Sequence, residues 1–216
     1  MLDQKIAAMS LPKPLPGFGH VNRYWDKSMQ TAAAKILPGE CYVSTAGEMI
    51  VTVLGSCIAA CVRDKNLGIG GMNHFMLPVQ LGEEGIQRLN STNPALCYGN
   101  WAMEFLINAI LKQGGRKEHL EVKIFGGGQV LAAMTSLNVG HRNIEFVNEY
   151  LRLEGFRIAA QDVGGDYPRK VLYFADTGAV KMRRIRTTAN DTIQKREKAY
   201  LQSIAKPAES GSVELF

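Results

Sequence analysis

The chain has 216 residues, 46% hydrophobic and 21% charged, an ordinary globular composition that suits one domain with a substantial core. No stretch approaches the roughly 18 to 20 apolar residues of a membrane span, and the start (Met1, Leu2, Asp3, Gln4, Lys5) has no apolar signal region. A net charge of +5 favours an acidic partner, but without aromatics interleaved among the basic residues it does not argue for nucleic acid. The four cysteines, at 41, 57, 61 and 97, are too few and too irregular for a disulfide framework, so a reduced, cytoplasmic protein is expected.

Residues 1–38 carry Pro12, Pro14, Pro16 and Pro38 and read as an N-terminal arm with a short helix over 25–36. Strands are expected at 41–44 and 49–53. Ile58, Ala59, Ala60, Cys61 and Val62 form an apolar run that reads as a buried strand. Asp64, Lys65, Asn66, Leu67 and Gly68 have turn chemistry, and a second strand resumes at Ile69. Residues 79–96 are polar and bear Gly, Asn and Pro, as long functional loops do. Met103, Leu106, Ile107, Ile110 and Leu111 keep helical spacing in a helix over 98–113, which Gly114 and Gly115 end.

A strand over 120–125 then runs into Gly126, Gly127 and Gly128. Asn143 has the chemistry of a cap for a helix reaching Leu153, and Gly155 closes it. A strand at 156–161 precedes a hairpin, 170–175 with 179–184, turned at Asp176, Thr177 and Gly178. A charged amphipathic helix over 189–205 follows. The alternation of Val213, Glu214, Leu215 and Phe216 predicts a closing edge strand. The pattern is that of an α/β fold: a single layered domain with a mixed β-sheet and packed helices. Its parts are the arm 1–38, the main domain 39–186, and a C-terminal helical extension with a final strand, 187–216.

The chemistry concentrates at the first hairpin. If Lys65 and Asn66 are its two central residues, Asp64 faces Leu67, Arg63 faces Gly68, and Cys57 faces His74. Directly opposed residues share a face, with Cβ atoms roughly 5 Å apart. A thiol with a reference pKa of about 8.5 is only a few per cent thiolate at neutral pH. A neighbouring imidazole takes the proton and later returns it to a leaving group. Gly55 and Ser56 are small residues whose backbone N–H groups can approach a substrate closely, as an oxyanion hole requires. This reading makes Cys57 the most reactive of the four thiols. The same pair also reads as a buried small hydrophobe and a satisfied strand histidine.

Other patterns carry less. Cys57 and Cys61 lack the second ligand pair of a zinc site, since Cys97, His119 and His141 are scattered, so no metal is expected. The glycines after Phe125 lack the Lys-Ser/Thr ending of a phosphate loop. They read either as a tight turn or as backbone brought close to a substrate. Asp162, Val163, Gly164, Gly165 and Asp166 read as a structural turn. Arg183, Arg184, Arg186, Lys195, Arg196 and Lys198 form a solvated basic face or a docking surface.

The stretch from Leu54 to Cys61 (Leu-Gly-Ser-Cys-Ile-Ala-Ala-Cys), followed by Gly71 to Pro78 (Gly-Met-Asn-His-Phe-Met-Leu-Pro), resembles the CheD family of chemoreceptor glutamine deamidases. The likeness continues through Lys123 to Gly128, Asn138 to Asn143 and Asp162 to Asp166, covering about residues 40–186. The resemblance implies that Cys57 is the nucleophile and His74 its partner. It also implies a catalytic threonine shortly before the cysteine, for which Thr52 is the candidate. It favours Gly126 and Gly127, beside Gly55 and Ser56, as backbone close to the substrate amide. The implied activity is hydrolysis of selected glutamines to glutamate on chemoreceptor cytoplasmic domains through a Cys-His thioester, with no cofactor. A methyl ester would pass through the same acyl-enzyme. The alternative is a binding module for the receptor or for a CheC-type phosphatase, with catalysis secondary. Neither nucleic-acid contact nor membrane insertion is implied.

Overall fold

The computed structural model describes residues 11–77, 94–130, 138–185 and 190–204. Strands β1 (Asn22–Asp26), β2 (Thr31–Lys35), β4 (Met49–Leu54), β9 (Arg169–Phe174) and β10 (Val180–Arg184) make one sheet, in the order β1-β2-β4-β9-β10. Strands β3 (Cys41–Ser44), β5 (Ile58–Asp64), β6 (Ile69–Asn73), β7 (Leu120–Gly126) and β8 (Ile158–Val163) make the other, in the order β3-β6-β5-β7-β8. Each sheet holds one parallel pair, β2 with β4 and β7 with β8, so both are mixed.

Period-2 alternation sorts β4 into two faces. Ile50 and Leu54 enter the main core, which the two sheets share with the helices, while Met49 and Val51 meet Ala33 in a small outer cluster. Thr52 has the parity of Ile50 and Leu54 and points inward, buried. On the far side of the second sheet lie α1 (Pro94–Leu111), packed on β3, β5 and β6, and α2 (Val139–Leu153), packed on α1 and β5. Strand β5 is thereby covered on both faces, which is why its sequence is apolar without alternation. A third helix, α3 (Asn190–Ile204), follows β10.

The helix expected over 25–36 is instead the hairpin β1–β2. Ala32, Ala33 and Ala34 favour a helix in isolation, but β2 lies between β1 and β4, and Ala33 and Ala34 are fully buried there. Side chains this small let the layers approach, and packing outweighs a propensity of well under 1 kcal/mol per residue. Helix α1 begins at Pro94, earlier than expected. Helix α2 begins at Val139, not at Asn143. Most of the expected 79–96 loop and all of the expected strand at 213–216 lie outside the described residues.

The first hairpin forms with a longer turn than expected. Asp64 Oδ1 accepts the N–H groups of Asn66 (2.8 Å) and Leu67 (3.0 Å), and Gly68 closes the turn at φ +67°. Asp64 therefore pairs with Ile69 and Cys61 with Met72, and Ile58 bridges to Phe75. The register moves by two residues, and an even shift keeps every side chain on its expected face. Cys57 and His74, one step either side of the Ile58–Phe75 bridge, become diagonal neighbours on one face, roughly 7 to 8 Å apart at the backbone.

Candidate functional site

Residues 55–57 are the link by which the chain leaves β4 in one sheet and enters β5 in the other. The carbonyls of this link are tied from behind. Gly128 N–H donates to Gly55 O (2.7 Å), Asn143 Nδ2 to Ser56 O (2.8 Å), and Gly127 N–H to Cys57 O (2.8 Å). With the carbonyls committed, the N–H groups of Gly55 and Cys57 converge on one point. Both donate to Glu197 Oε1, at 3.0 and 3.3 Å, while Ser56 Oγ donates to Glu197 Oε2 at 2.7 Å. Converging backbone donors of this kind form an anion-binding nest, the arrangement that stabilises a tetrahedral oxyanion.

His74 is pinned through its backbone: its N–H donates to Glu40 O (2.9 Å) and its carbonyl accepts Gly39 N–H (2.7 Å). Its Nδ1 lies 2.8 Å from Thr52 Oγ1, which is 2.9 Å from Ile36 O. A carbonyl can only accept, so the single hydroxyl hydrogen goes to Ile36 and the hydroxyl must accept from the ring. Nδ1 therefore carries the proton. Nε2 is left as a buried lone pair with no hydrogen-bond partner among the described residues. Its lone pair is thus free to accept a hydrogen bond or a proton from a group brought beside it. Thr52 sets the tautomer from the opposite sheet.

Burial governs the ionisation. It lowers the His74 pKa to about 3 and raises that of the Cys57 thiol far above its ordinary value. Beyond burial, the negative charge of the nearby Glu197 holds the thiol protonated. Burial also raises the Cys41 and Cys61 thiols. The expectation of Cys57 as the most reactive of the four thiols thus meets a neutral thiol beside a buried carboxylate.

The histidine has a consequence for stability. Above pH 6.5 His74 is neutral in both states. Below that, the unfolded chain binds a proton that the folded chain refuses until about pH 3. Stability is therefore expected to fall as the pH drops from 6.5 toward 3, by up to about 1.4 kcal/mol per pH unit from this group. Urea melts at pH 7 and pH 5 check this, because His74→Gln should flatten the difference; an unchanged difference refutes it.

The structure brings together Thr52, Gly55, Ser56, Cys57 and His74. It gives Gly126 and Gly127 a different position from the one expected. Gly127 N–H is already spent on Cys57 O, and a side chain at either glycine would collide with its neighbours, the Cys57 carbonyl at Gly126 and Ile144 at Gly127. These glycines allow the close approach that supports the cysteine loop from behind. At 162–166 the end of β8 and the turn after it are tied to Arg169, which is fully buried, donates to the carbonyls of Asp162 and Gly164 and pairs with the Asp162 carboxylate.

Sequence reasoning missed Asn143 and Glu197. Asn143 is buried inside α2, accepting Leu77 N–H at 2.9 Å while holding Ser56 O. The signal was present, since 143, 146, 147, 150 and 151 continue one helical face once the helix starts at Val139. For Glu197, 140 residues beyond Cys57, no pattern was available. A cleft of about 100 Å³ reaches His74, lined also by Gly39, Tyr98, Trp101 and Phe105. Among the described residues no group of three or more His, Cys, Asp and Glu side chains is placed to hold a metal ion, and no helix is long and apolar enough to cross a membrane.

Comparison with known proteins gives a consistent result. The family described as CheD chemotactic sensory transduction matches residues 76–184. A probable chemoreceptor glutamine deamidase CheD of Saccharophagus degradans is 54% identical over 206 residues, 95% of this chain and 94% of its own length. One from Halorhodospira halophila is 54% identical over 208 residues, covering 96% and 95%. One from Hahella chejuensis is 51% identical over 205 residues, covering 95% of each.

Proposed function

The chain belongs to the CheD family, and from that premise we propose that it hydrolyses glutamine side chains on the cytoplasmic domains of chemoreceptors, using Cys57 as nucleophile. The observation that carries this reading is a two-donor nest at one buried cysteine, with an oriented imidazole as its diagonal neighbour on the same face. A module that only bound the receptor or a CheC-type phosphatase would need neither.

In this reaction Nε2 of His74 takes the thiol proton as Sγ bonds to the carboxamide carbon. The N–H groups of Gly55 and Cys57 receive the oxyanion. His74 returns the proton to the departing ammonia, leaving a thioester. Water, deprotonated at the same Nε2, then releases glutamate. Throughout, the Nδ1–H stays on Thr52, which steadies the imidazolium formed twice per cycle.

Thr52 acts through His74 and is a positioning residue. Thr52→Val is expected to lower kcat roughly 10- to 100-fold with little change in KM, and Thr52→Ser to restore it. A KM effect alone would remove Thr52 from the chemistry.

The deciding experiment is mass spectrometry of a receptor cytoplasmic fragment before and after incubation. Conversion of amide to acid is expected at a few glutamines, with free glutamine and short unstructured peptides far slower. Contacts remote from the amide must position it against Cys57. The exposed Arg183, Lys195, Arg196 and Lys198 would draw an acidic helical surface, so the rate should fall with added salt. Free glutamine turned over as fast as the receptor would make the protein a small-molecule glutaminase instead.

A further inference from the structure

Glu197 is 3% exposed, and no ion pair to it occurs among the described residues. A buried carboxylate without a cation is costly unless its oxygens are well satisfied. Here they are met by Gly55 N–H, Cys57 N–H and Ser56 Oγ. Those are the donors that the reacting group must use. The fit is steric as well, because an added Cβ at Gly55 would stand 2.6 Å from Glu197 Oε1. Three residues along the helix, Tyr200 lies over Gly39, where a Cβ would stand 3.0 Å from its hydroxyl, and its hydroxyl hydrogen-bonds that of Tyr98 on α1. Two glycines thus leave room beneath helix positions i and i+3.

We propose that α3 occupies its own active site, Glu197 holding in cis the place of the glutamate side chain that the reaction forms. The proposal rests on the deamidase reading for its chemistry and on the contacts above for its geometry. It has two consequences. The chain is self-blocked until a receptor helix displaces α3. The groove accepts a helix, with the reacting side chain over Gly55 and the residue three positions later over Gly39 and against Tyr98. The covering carboxylate also keeps the thiol protonated, so removing it both uncovers and activates Cys57.

The test uses the full chain. Glu197→Ala is expected to raise the rate of iodoacetamide labelling at Cys57 roughly tenfold, as the fraction of open molecules grows, with an unchanged circular dichroism spectrum. Glu197→Gln places a carboxamide in the site. Sγ should bond its Cδ, ammonia leave with the proton from His74, and water cleave the thioester. The peptide spanning position 197 should then be recovered with glutamate there, and should keep the introduced glutamine when Cys57→Ala is added. Labelling at Cys57 that is no faster in Glu197→Ala than in the unaltered chain overturns the self-block, whatever happens to receptors. Faster labelling, with neither the introduced glutamine nor receptor fragments converted, upholds the self-block and overturns the deamidase reading instead.

Discussion

Cys57→Ala and His74→Gln are each expected to abolish receptor deamidation, lowering the rate roughly a thousandfold or more, while the protein remains folded. Without the sulfur no acyl-enzyme can form. Without Nε2 the thiol, which burial and Glu197 keep protonated, has no acceptor for its proton. The double variant should be scarcely worse than either single one, because the two groups act as a unit. The structural cost is small by comparison: cysteine to alanine removes one buried atom, worth about 1 kcal/mol. Deamidation of a receptor fragment, followed by mass spectrometry beside a thermal melt, separates the two effects. Full activity in folded Cys57→Ala would end the nucleophile assignment.

Gly126→Ala should cost both stability and activity. Gly126 sits at φ +116°, and a Cβ there would press on the Cys57 carbonyl oxygen and stand 3.1 Å from Ile58 Cα. The backbone cannot retreat, since Gly126 is paired with Ile58 on one side and Val163 on the other, and its carbonyl accepts Gly164 N–H at 2.9 Å. Strained backbone plus overpacking amounts to about 2 to 4 kcal/mol. The displaced atoms are those that aim the Cys57 N–H. Gly155 supplies the control, with φ +74° but nothing within 4 Å of a Cβ, so Gly155→Ala should cost only about 1 to 2 kcal/mol and spare activity. Urea midpoints compare the two. Equal losses would mean that backbone conformation alone matters at Gly126.

The sequence was most legible where local pattern and tertiary role coincide. The apolar run of β5, the turn chemistry at 64–68 and the Asp176-Thr177-Gly178 hairpin each announce an element that burial then uses. Cys57 and His74 were legible together because an even register error leaves faces intact. The N-terminal hairpin was not, since three consecutive alanines carry helical propensity and only their place beside β4 makes them strand. Asn143 was misread because asparagine caps helices often, whereas its partners here, Leu77 N–H and Ser56 O, are remote in the chain. Glu197 was beyond reach in principle: a single carboxylate on a charged helix looks solvated until the cysteine loop is folded against it.

The link between the two sheets makes the reactive centre late in assembly. Thr52 is held only once β4 lies between β2 and β9, with Val171 beside it, and the cysteine loop is anchored only after Gly127, Gly128 and Asn143 have arrived. A nascent chain emerging from the ribosome therefore carries an ordinary cysteine through most of its synthesis. Helix α3, which bears Glu197, follows β10 directly in the chain, so under the proposed self-block the blocking carboxylate is made immediately after the last strand of the sheets.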